Sequence, residues 1–209
     1  MNDIVVAFDL DDTLVAEALF IKSGIYHIAR RLSGKLPAIS PLRIAGCMET
    51  ALLNYTNHYS ALERFLEQER LSCMIDMKEV VAEFRNHRPD PEIYHLPPSI
   101  EDTLLSLKDK GYPLALITDG RSTTQRNKIE AAGLYRFFND SDIFISEETG
   151  HDKMSPDNFL AVMRKYAGAT EFHYVGDNPP KDFFHPSRLG WATHMVHPFP
   201  LAIHQGMPR

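Results

Sequence analysis

The chain has 209 residues, 44% of them apolar and 24% charged, and its formal net charge is −6 at pH 7. This size and composition suit a soluble globular protein with one domain plus an insertion, or with two small domains. The acidic balance and the lack of any basic run argue against a nucleic-acid partner. Cys47 and Cys73 are the only cysteines, which argues against a disulfide framework or a cysteine metal site. A strand that begins by residue 4 leaves no room for a signal peptide, and no apolar run is long enough to span a membrane, so a cytoplasmic protein is expected.

The first predicted strand ends in a group of acidic residues. Residues 4–8 are all apolar, as in a central strand of a parallel sheet that is buried on both faces. Asp9, Asp11 and Asp12 follow, and then Thr13. Because ligands bind outside the carboxyl ends of such strands, Asp9 and Asp11 are predicted to face a site, whereas Asp12 suits a turn. Crowded carboxylates raise one another's pKa unless a cation neutralises them, and Mg²⁺ with its oxygen ligands meets that need.

A long helical stretch separates this strand from the rest of the sheet. Apolar residues recur at helical spacing from residue 21 to residue 32, and Ser40-Pro41 predicts the start of a second helix. The stretch is too long for one crossover helix. We therefore predict a helical insertion over residues 15–96, within an α/β core formed by residues 1–14 and 97–209.

Helix and strand signals alternate after the insertion. Ser99 to Asp102 resembles a capping box at a helix start. The fold class predicted by this alternation is α/β, with a Rossmann-like parallel sheet, and the tail after residue 197 is expected to lie on the surface. The four later strands are predicted at residues 114–117, 142–145, 172–175 and 191–196.

Polar residues follow three of the strands, and a lysine precedes a later helix. If the strands are neighbours, these side chains converge on one crevice. Carboxylates for a metal, a hydroxyl for phosphate oxygens and a compact positive charge are the groups needed for phosphoryl transfer. Asp9 is the candidate nucleophile, and Asp11 is the candidate general acid and base. The full set is Asp9, Asp11, Thr118, Asp119, Lys153, Asp177 and Asn178.

These residues resemble, in order, the four motifs of the haloacid dehalogenase (HAD) superfamily. The similarity covers the core from residue 4 to about residue 196, and the helical insertion resembles the C1-type cap of that family. The ordered set of four motifs is far more specific than any one of them. The motifs are Asp9-Leu10-Asp11-Asp12-Thr13, then Thr118-Asp119-Gly120, then Lys153 with Pro156 and Phe159, and then Gly176-Asp177-Asn178 with Asp182.

The resemblance implies a Mg²⁺ site and a covalent mechanism. Asp9 would be both the nucleophile and a Mg²⁺ ligand. Asp11 would be the acid and base, and would also bind Mg²⁺ through its backbone carbonyl. Asp177 would complete the metal shell. Asp182 and Asn178 would support this shell without being ligands, and Asp182 would do so through water or by contacting the ligands.

The resemblance also implies a phosphate site. Thr118 and the N–H group of Asp119 would hold the phosphate, and Lys153 would neutralise both the phosphate and the nucleophile. The family often has proline directly after this lysine, whereas two residues intervene here. Lys165 and Lys181 are therefore the alternative candidates for its role.

The function expected from this resemblance is Mg²⁺-dependent hydrolysis of a small phosphorylated metabolite through an aspartyl-phosphate. A phosphomutase of the β-phosphoglucomutase type, a phospho-acceptor signalling module and a catalytically silent binding relative are the alternatives. Dehalogenation is disfavoured, because family members of that type lack an acid at the position of Asp11. The motifs specify neither the substrate nor the oligomeric state.

Overall fold

The computed structural model describes residues 3–54, 56–196 and 199. Its centre is a five-stranded parallel sheet with the strand order β3-β2-β1-β4-β5. This sheet confirms the predicted α/β class with a Rossmann-like core. The prediction for the tail falls outside the described residues, Phe199 excepted. The strands are β1 (Ile4–Phe8), β2 (Leu114–Thr118), β3 (Ile143–Ile145), β4 (Glu171–Gly176) and β5 (Ala192–Met195).

Strand β1 lies at the centre of the sheet and divides it into two halves. Val6 pairs with Leu114 of β2 on one side and with His173 of β4 on the other. The backbone N–H of Asp9 donates to the carbonyl of Val175 at 2.9 Å, so the loop after β1 stays tied to β4. Since the order of the strands changes direction at β1, the crevice beside its carboxyl end is the topological switch point of the sheet.

Four α-helices lie in the described part of residues 15–96, the insertion predicted from the sequence. Ser40 accepts a hydrogen bond from the backbone N–H of Arg43, and Pro41 is the first helical residue, which confirms the predicted start of the second helix. That residues 15–96 act as a separate domain stays a prediction. The helices are α1 (Glu17–Lys35), α2 (Pro41–Leu53), α3 (His58–Gln68) and α4 (Met77–Asn86).

The remaining helices connect or follow the later strands. The predicted capping box at Ser99 is wrong, because the first of these helices begins one residue earlier, at Pro98. The fixed φ of proline suits the first helical position, and no side chain caps this end. The helices are α5 (Pro98–Asp109), α6 (Ser122–Ala131), α7 (Ser146–Thr149), α8 (Asp157–Lys165), α9 (Pro179–Asp182) and α10 (Phe184–Arg188).

Both faces of β1 are buried, as its apolar sequence predicts. Val5 and Ala7 point to one face, where they pack in a cluster with Phe159 of α8. Val6 and Phe8 point to the other face and belong to a larger cluster that includes residues of α5 and of the helical insertion. The strand that carries the acidic residues is thus fixed from both sides. Within the described ranges, no helix is long and apolar enough to cross a lipid bilayer.

Candidate active site

A cavity of about 230 Å³ lies at the carboxyl ends of β1, β2 and β4. It contains all eight site residues predicted from the motifs, and also Lys181, one of the two alternatives considered for Lys153. It also contains Glu17, the first residue of α1, which the sequence did not indicate. The lining residues are Asp9, Asp11, Glu17, Thr118, Asp119, Lys153, Asp177, Asn178, Lys181 and Asp182.

Asp9, the candidate nucleophile, follows β1 directly and is only 7% exposed. Its carboxylate forms an ion pair with the ammonium of Lys153. Burial raises the pKa of the Asp9 carboxyl, Lys153 opposes this effect, and the negative charges of Asp182 and Asp11 raise the pKa further. The ionised form of Asp9, which a nucleophile requires, therefore depends on nearby positive charge.

Lys153 occupies the position beside Asp9 despite the altered sequence after it. Its ammonium lies 2.8 Å from Asp182 Oδ1, and its backbone N–H donates to Asp119 Oδ1 at 3.0 Å. Burial disfavours the ammonium form, but the carboxylates, with Asp9 first, raise the pKa of Lys153 well above its usual value. Lys165, the last residue of α8, does not line the cavity. Its ammonium instead lies 2.5 Å from Asp142 Oδ1.

Three buried carboxylates form a group that would suit a metal ion. Asp9, Asp177 and Asp182 each offer an oxygen, and these oxygens all lie within 4.8 Å of one another. Mg²⁺ prefers oxygen ligands of this kind. The carboxylate of Asp11 is not part of this group. The family resemblance implies that Asp11 would bind the metal through its backbone carbonyl instead.

Asp182 lies closer to the centre of the site than its assignment as a supporting residue suggests. Its second oxygen accepts a hydrogen bond from the backbone N–H of Asn178 at 2.9 Å, which closes the turn after β4. Gly176 makes this approach possible, because a Cβ atom there would lie 2.5 Å from Asp182 Oδ2. The glycine that precedes Asp177 is thus required by packing against Asp182.

Asp11 is held by two residues of α6 that sequence reasoning missed. Lys128 Nζ lies 2.7 Å from Asp11 Oδ1, and Gln125 Nε2 donates to Asp11 Oδ2 at 3.0 Å. Gln125 also donates to Thr118 Oγ1 at 2.6 Å. The available signal was the helical spacing: residues three apart lie on one face of a helix, and α6 begins just after the second motif.

The loops after β1 and β2 complete the site. Lys181 Nζ lies 2.7 Å from Asp119 Oδ2, so this lysine contributes positive charge to the cavity although it does not replace Lys153. Asp12 has a positive φ of 56° and accepts a hydrogen bond from the backbone N–H of Glu17 at 2.9 Å. Asp12 is therefore the turn residue that its sequence position predicts, and it leads the chain into α1.

Curated relatives match most of the chain. Two of them are named glyceraldehyde 3-phosphate phosphatase. The relative from Methanopyrus kandleri is 27% identical over 193 residues, which cover 90% of this chain and 81% of the relative. The one from Methanocaldococcus jannaschii is 29% identical over 198 residues, covering 90% and 82%. A phosphoserine phosphatase from Thermus thermophilus is 39% identical over 90 residues, or 43% of this chain and 35% of the relative.

Solved structures share the fold at lower sequence identity. A HAD phosphatase from Thermococcus onnurineus aligns with a TM-score of 0.56 and 23% identity, over 94% of this chain and 86% of that one. The HAD-hydrolase YfnB from Bacillus subtilis, bound to magnesium, aligns with a TM-score of 0.58 and 21% identity, over 94% and 89%. The family model described as haloacid dehalogenase-like hydrolase matches residues 6–196, and the chain therefore belongs to this family.

Proposed function

We propose that the protein is a Mg²⁺-dependent phosphatase that hydrolyses a small phosphorylated metabolite through an aspartyl-phosphate on Asp9. The observation that carries this proposal is the buried Asp9, paired with Lys153 at the switch point of the sheet and grouped with two further carboxylates. The names of the relatives support phosphate monoesters as the substrate class.

The metal would be held by Asp9, Asp177 and the backbone carbonyl of Asp11, with Asp182 beside them. The donor set fits, since three buried carboxylate oxygens lie within 4.8 Å of one another and only a hard cation is well matched to oxygen ligands. A bound Mg²⁺ supplies positive charge that offsets the negative charge of the phosphoryl oxygens.

In the first step, an oxygen of the Asp9 carboxylate attacks phosphorus and the bond from phosphorus to the ester oxygen breaks. Asp11 gives its proton to that oxygen, so the product leaves as a neutral alcohol. In the second step, Asp11 takes a proton from water as the water oxygen attacks the phosphorus of the aspartyl-phosphate. Inorganic phosphate leaves and Asp9 is regenerated. Positioned acid–base catalysis of this kind is worth about 10²–10⁴-fold.

The phosphate would be held by three groups around the nucleophile. They are the hydroxyl of Thr118, the backbone N–H of Asp119 and the ammonium of Lys153. Thr118 is almost fully buried at the end of β2, so its hydroxyl has a fixed position. The lysine also offsets the charge on Asp9 as the phosphate approaches, which would otherwise be repelled.

The helical insertion would act as a cap that limits the size of the substrate. Glu17 of α1 lines the cavity together with the residues of the core. The cavity, at about 230 Å³, is smaller than the ~300–1,000 Å³ typical of sites for drug-sized ligands. Small organic phosphates, such as triose phosphates or phosphorylated amino acids, are therefore the favoured substrates.

The test is phosphate release from a panel of phosphomonoesters, including glyceraldehyde 3-phosphate and phosphoserine, with Mg²⁺ or with EDTA. We expect Mg²⁺-dependent turnover in the wild type and a loss on the order of 10⁴-fold or more in Asp9→Asn, as for other covalent nucleophiles. Asp109→Asn, at the exposed end of α5, is the matched control. Undiminished turnover in Asp9→Asn would contradict the proposal. Turnover only with a bisphosphate present would indicate the phosphomutase, and a stable phosphorylated Asp9 without turnover would indicate the signalling module.

A further inference from the structure

We propose that Lys128 and Gln125 are positioning residues, which hold the carboxyl of Asp11 in the orientation needed for proton transfer to the leaving group. This inference rests on the proposed phosphatase function. It concerns two residues of α6 that lie outside the four motifs.

The contacts fix both oxygens of the Asp11 carboxylate from one helix. Lys128 Nζ lies 2.7 Å from Oδ1, and Gln125 Nε2 lies 3.0 Å from Oδ2. Two donors on different oxygens restrict rotation of the carboxylate plane. A carboxylate has about four acceptor positions, so these donors leave room for the proton that Asp11 transfers.

The pair formed by Lys128 and Asp11 differs from an ordinary surface ion pair. The side chain of Lys128 is only 3% exposed, and its ammonium lies 4.5 Å from the centroid of the Phe20 ring. Burial of an ammonium costs free energy unless it is paired, whereas exposed pairs contribute about 0–1 kcal/mol and are readily broken. Asp11 is thus held by a lysine that has little freedom to move away.

Gln125 connects the acid–base residue to the predicted phosphate site. Its amide donates to Thr118 Oγ1 at 2.6 Å and to the carbonyl of Asp119 at 3.2 Å, in addition to Asp11. Gly120, with a φ of 147°, leaves space for this side chain, because a Cβ atom there would lie 3.1 Å from Gln125 Cδ. The same amide therefore sets the distance between the proton donor and the phosphate-binding hydroxyl.

Helix α6 is itself held by the end of the helical insertion. Thr124 Oγ1 donates to the carbonyl of Arg85 at 2.8 Å, and Asn127 Nδ2 donates to the carbonyl of Asn86 at 3.0 Å. These contacts fix the helix without touching Asp11. Asn127 thus provides a control for damage to the helix as a whole.

The leaving group distinguishes a positioning role from a merely structural one. An alkyl phosphate releases a strongly basic alkoxide, so it needs the proton of Asp11 as the bond breaks. p-Nitrophenyl phosphate releases a stable phenolate and needs that proton far less. A misplaced Asp11 should therefore slow alkyl esters selectively. The ratio kcat/KM is the right quantity, because it reports the steps through cleavage of the ester and not the later attack of water.

The experiment compares kcat/KM for an alkyl phosphate and for p-nitrophenyl phosphate in saturating Mg²⁺. We expect Lys128→Met to lower the value for the alkyl ester about 10²-fold, at the lower end of the range for a positioned acid, and to change the aryl value by less than about tenfold. Lys128→Arg should restore part of the loss. Gln125→Met should also lower the value for the alkyl ester more than for the aryl ester, with a further loss common to both because its hydrogen bond to Thr118 is removed. The double variant should lose less than the product of the two single effects.

Asn127→Ala and Lys108→Met are the controls, the latter at an exposed lysine whose ammonium donates to the carbonyl of Arg136. Both should affect the two esters equally. Equal losses for the two esters in Lys128→Met, or no loss for either, would overturn the inference while leaving the phosphatase proposal intact. A wild type that hydrolyses no ester would overturn both. If Lys128→Met fails to fold, Lys128→Arg and Gln125→Met decide by the same comparison.

Discussion

The ammonium of Lys153 lies 2.8 Å from Asp182 Oδ1, and both side chains are almost completely buried. The same ammonium pairs with Asp9, and Asp177 lies close to both carboxylates. One lysine therefore faces three acidic side chains. A further cation would balance the remaining charge, which agrees with the proposed Mg²⁺ site.

Replacing Lys153 with methionine should destabilise the protein strongly. Removing one partner of a buried ion pair costs about 3–5 kcal/mol, because the remaining charge stays buried. The folded-state pKa of Asp9, already raised by burial, should rise further without the ammonium. A raised carboxyl pKa gives stability that is fully present below the unfolded pKa and is lost as the pH rises through the folded pKa. Because the pKa of Asp9 is already about 8 in the wild type, the extra loss in Lys153→Met should appear above that pH. Urea denaturation in EDTA should therefore show a larger loss at about pH 9.5 than at about pH 7.

Lys35→Met is the control for this experiment. The Lys35 ammonium lies 3.8 Å from Glu79 Oε2 in an exposed ion pair, for which a change of about 0–1 kcal/mol is expected. A loss in Lys153→Met no larger than that of the control at both pH values would show that Lys153 does not offset the buried carboxylates.

Mg²⁺ should stabilise the folded protein, and Asp177→Asn should weaken this effect. A ligand at 100 times its dissociation constant stabilises by about 2.7 kcal/mol, or roughly 5–10 °C in Tm for a chain of this size. In EDTA, Asp177→Asn should be as stable as the wild type or more stable, since it removes one of three crowded negative charges. The measurement is the difference in Tm between Mg²⁺ and EDTA.

The exposed Asp109→Asn variant should keep the full Mg²⁺ response. If Asp177→Asn responded to Mg²⁺ as strongly as the wild type, Asp177 would not be a ligand. If the wild type did not respond either, Mg²⁺ would not bind the folded protein, which would contradict the proposed site.

The sequence alone was sufficient to predict the sheet and to bring the candidate residues together at one edge of it, where they line a single cavity. An apolar run that ends in carboxylates identifies both the central strand and its functional end, so Asp9 and Thr118 could be placed before the fold was known. The strand order could not be read this way, because hydrophobic pattern gives the strands and not their neighbours. The order β3-β2-β1-β4-β5 comes from the structure.

The residues that sequence reasoning missed depend on tertiary packing. Lys128 looks like an ordinary charged residue of a surface helix, and only the docking of α6 brings its ammonium to Asp11. Asp182 was predicted only to support the metal site. Its close approach to the site depends on the tight turn after β4 and on the missing side chain of Gly176, which the sequence pattern does not show. Helical spacing places Lys128 on one face of α6 with Gln125, but local pattern does not show that this face docks against Asp11.

Gly176→Ala should displace Asp182 and reduce both stability and the Mg²⁺ response. The added Cβ would lie 2.5 Å from Asp182 Oδ2, and such overpacking in a filled interior costs about 1–3 kcal/mol. Gly46→Ala in α2 is the matched control, because no atom lies within 4 Å of a Cβ there. Since alanine suits a helix better than glycine, Gly46→Ala should stabilise by about 0.5–1 kcal/mol. Equal effects of the two variants in urea denaturation would rule out the contact at Gly176.

The helical insertion should lose stability in mild acid because of two histidines, the partly buried His58 and the buried His87. Burial lowers the pKa of His58 to about 4 and also lowers that of His87. His58 packs 4.9 Å from the Phe84 ring, and the Nδ1 atom of His87 lies 2.6 Å from the Phe84 carbonyl. Below the ordinary histidine pKa of about 6.5, the unfolded chain binds protons that the folded chain does not. Stability is thus complete above that pH and falls as the pH approaches the folded pKa.

From pH 7 to pH 5, His58 should account for a loss of about 1 kcal/mol in the free energy of unfolding, with allowance for its partial exposure to solvent. His58→Gln cannot gain this proton, so its urea midpoint should depend less steeply on pH, whatever packing it loses at neutral pH. Gln68→Ala, at the last residue of the same helix α3, adds and removes no titratable group and should keep the slope of the wild type. Because the slope and not the absolute stability is compared, loss of packing in His58→Gln does not affect the conclusion. An unchanged slope in His58→Gln would show that His58 takes up its proton equally well in the folded and unfolded chains.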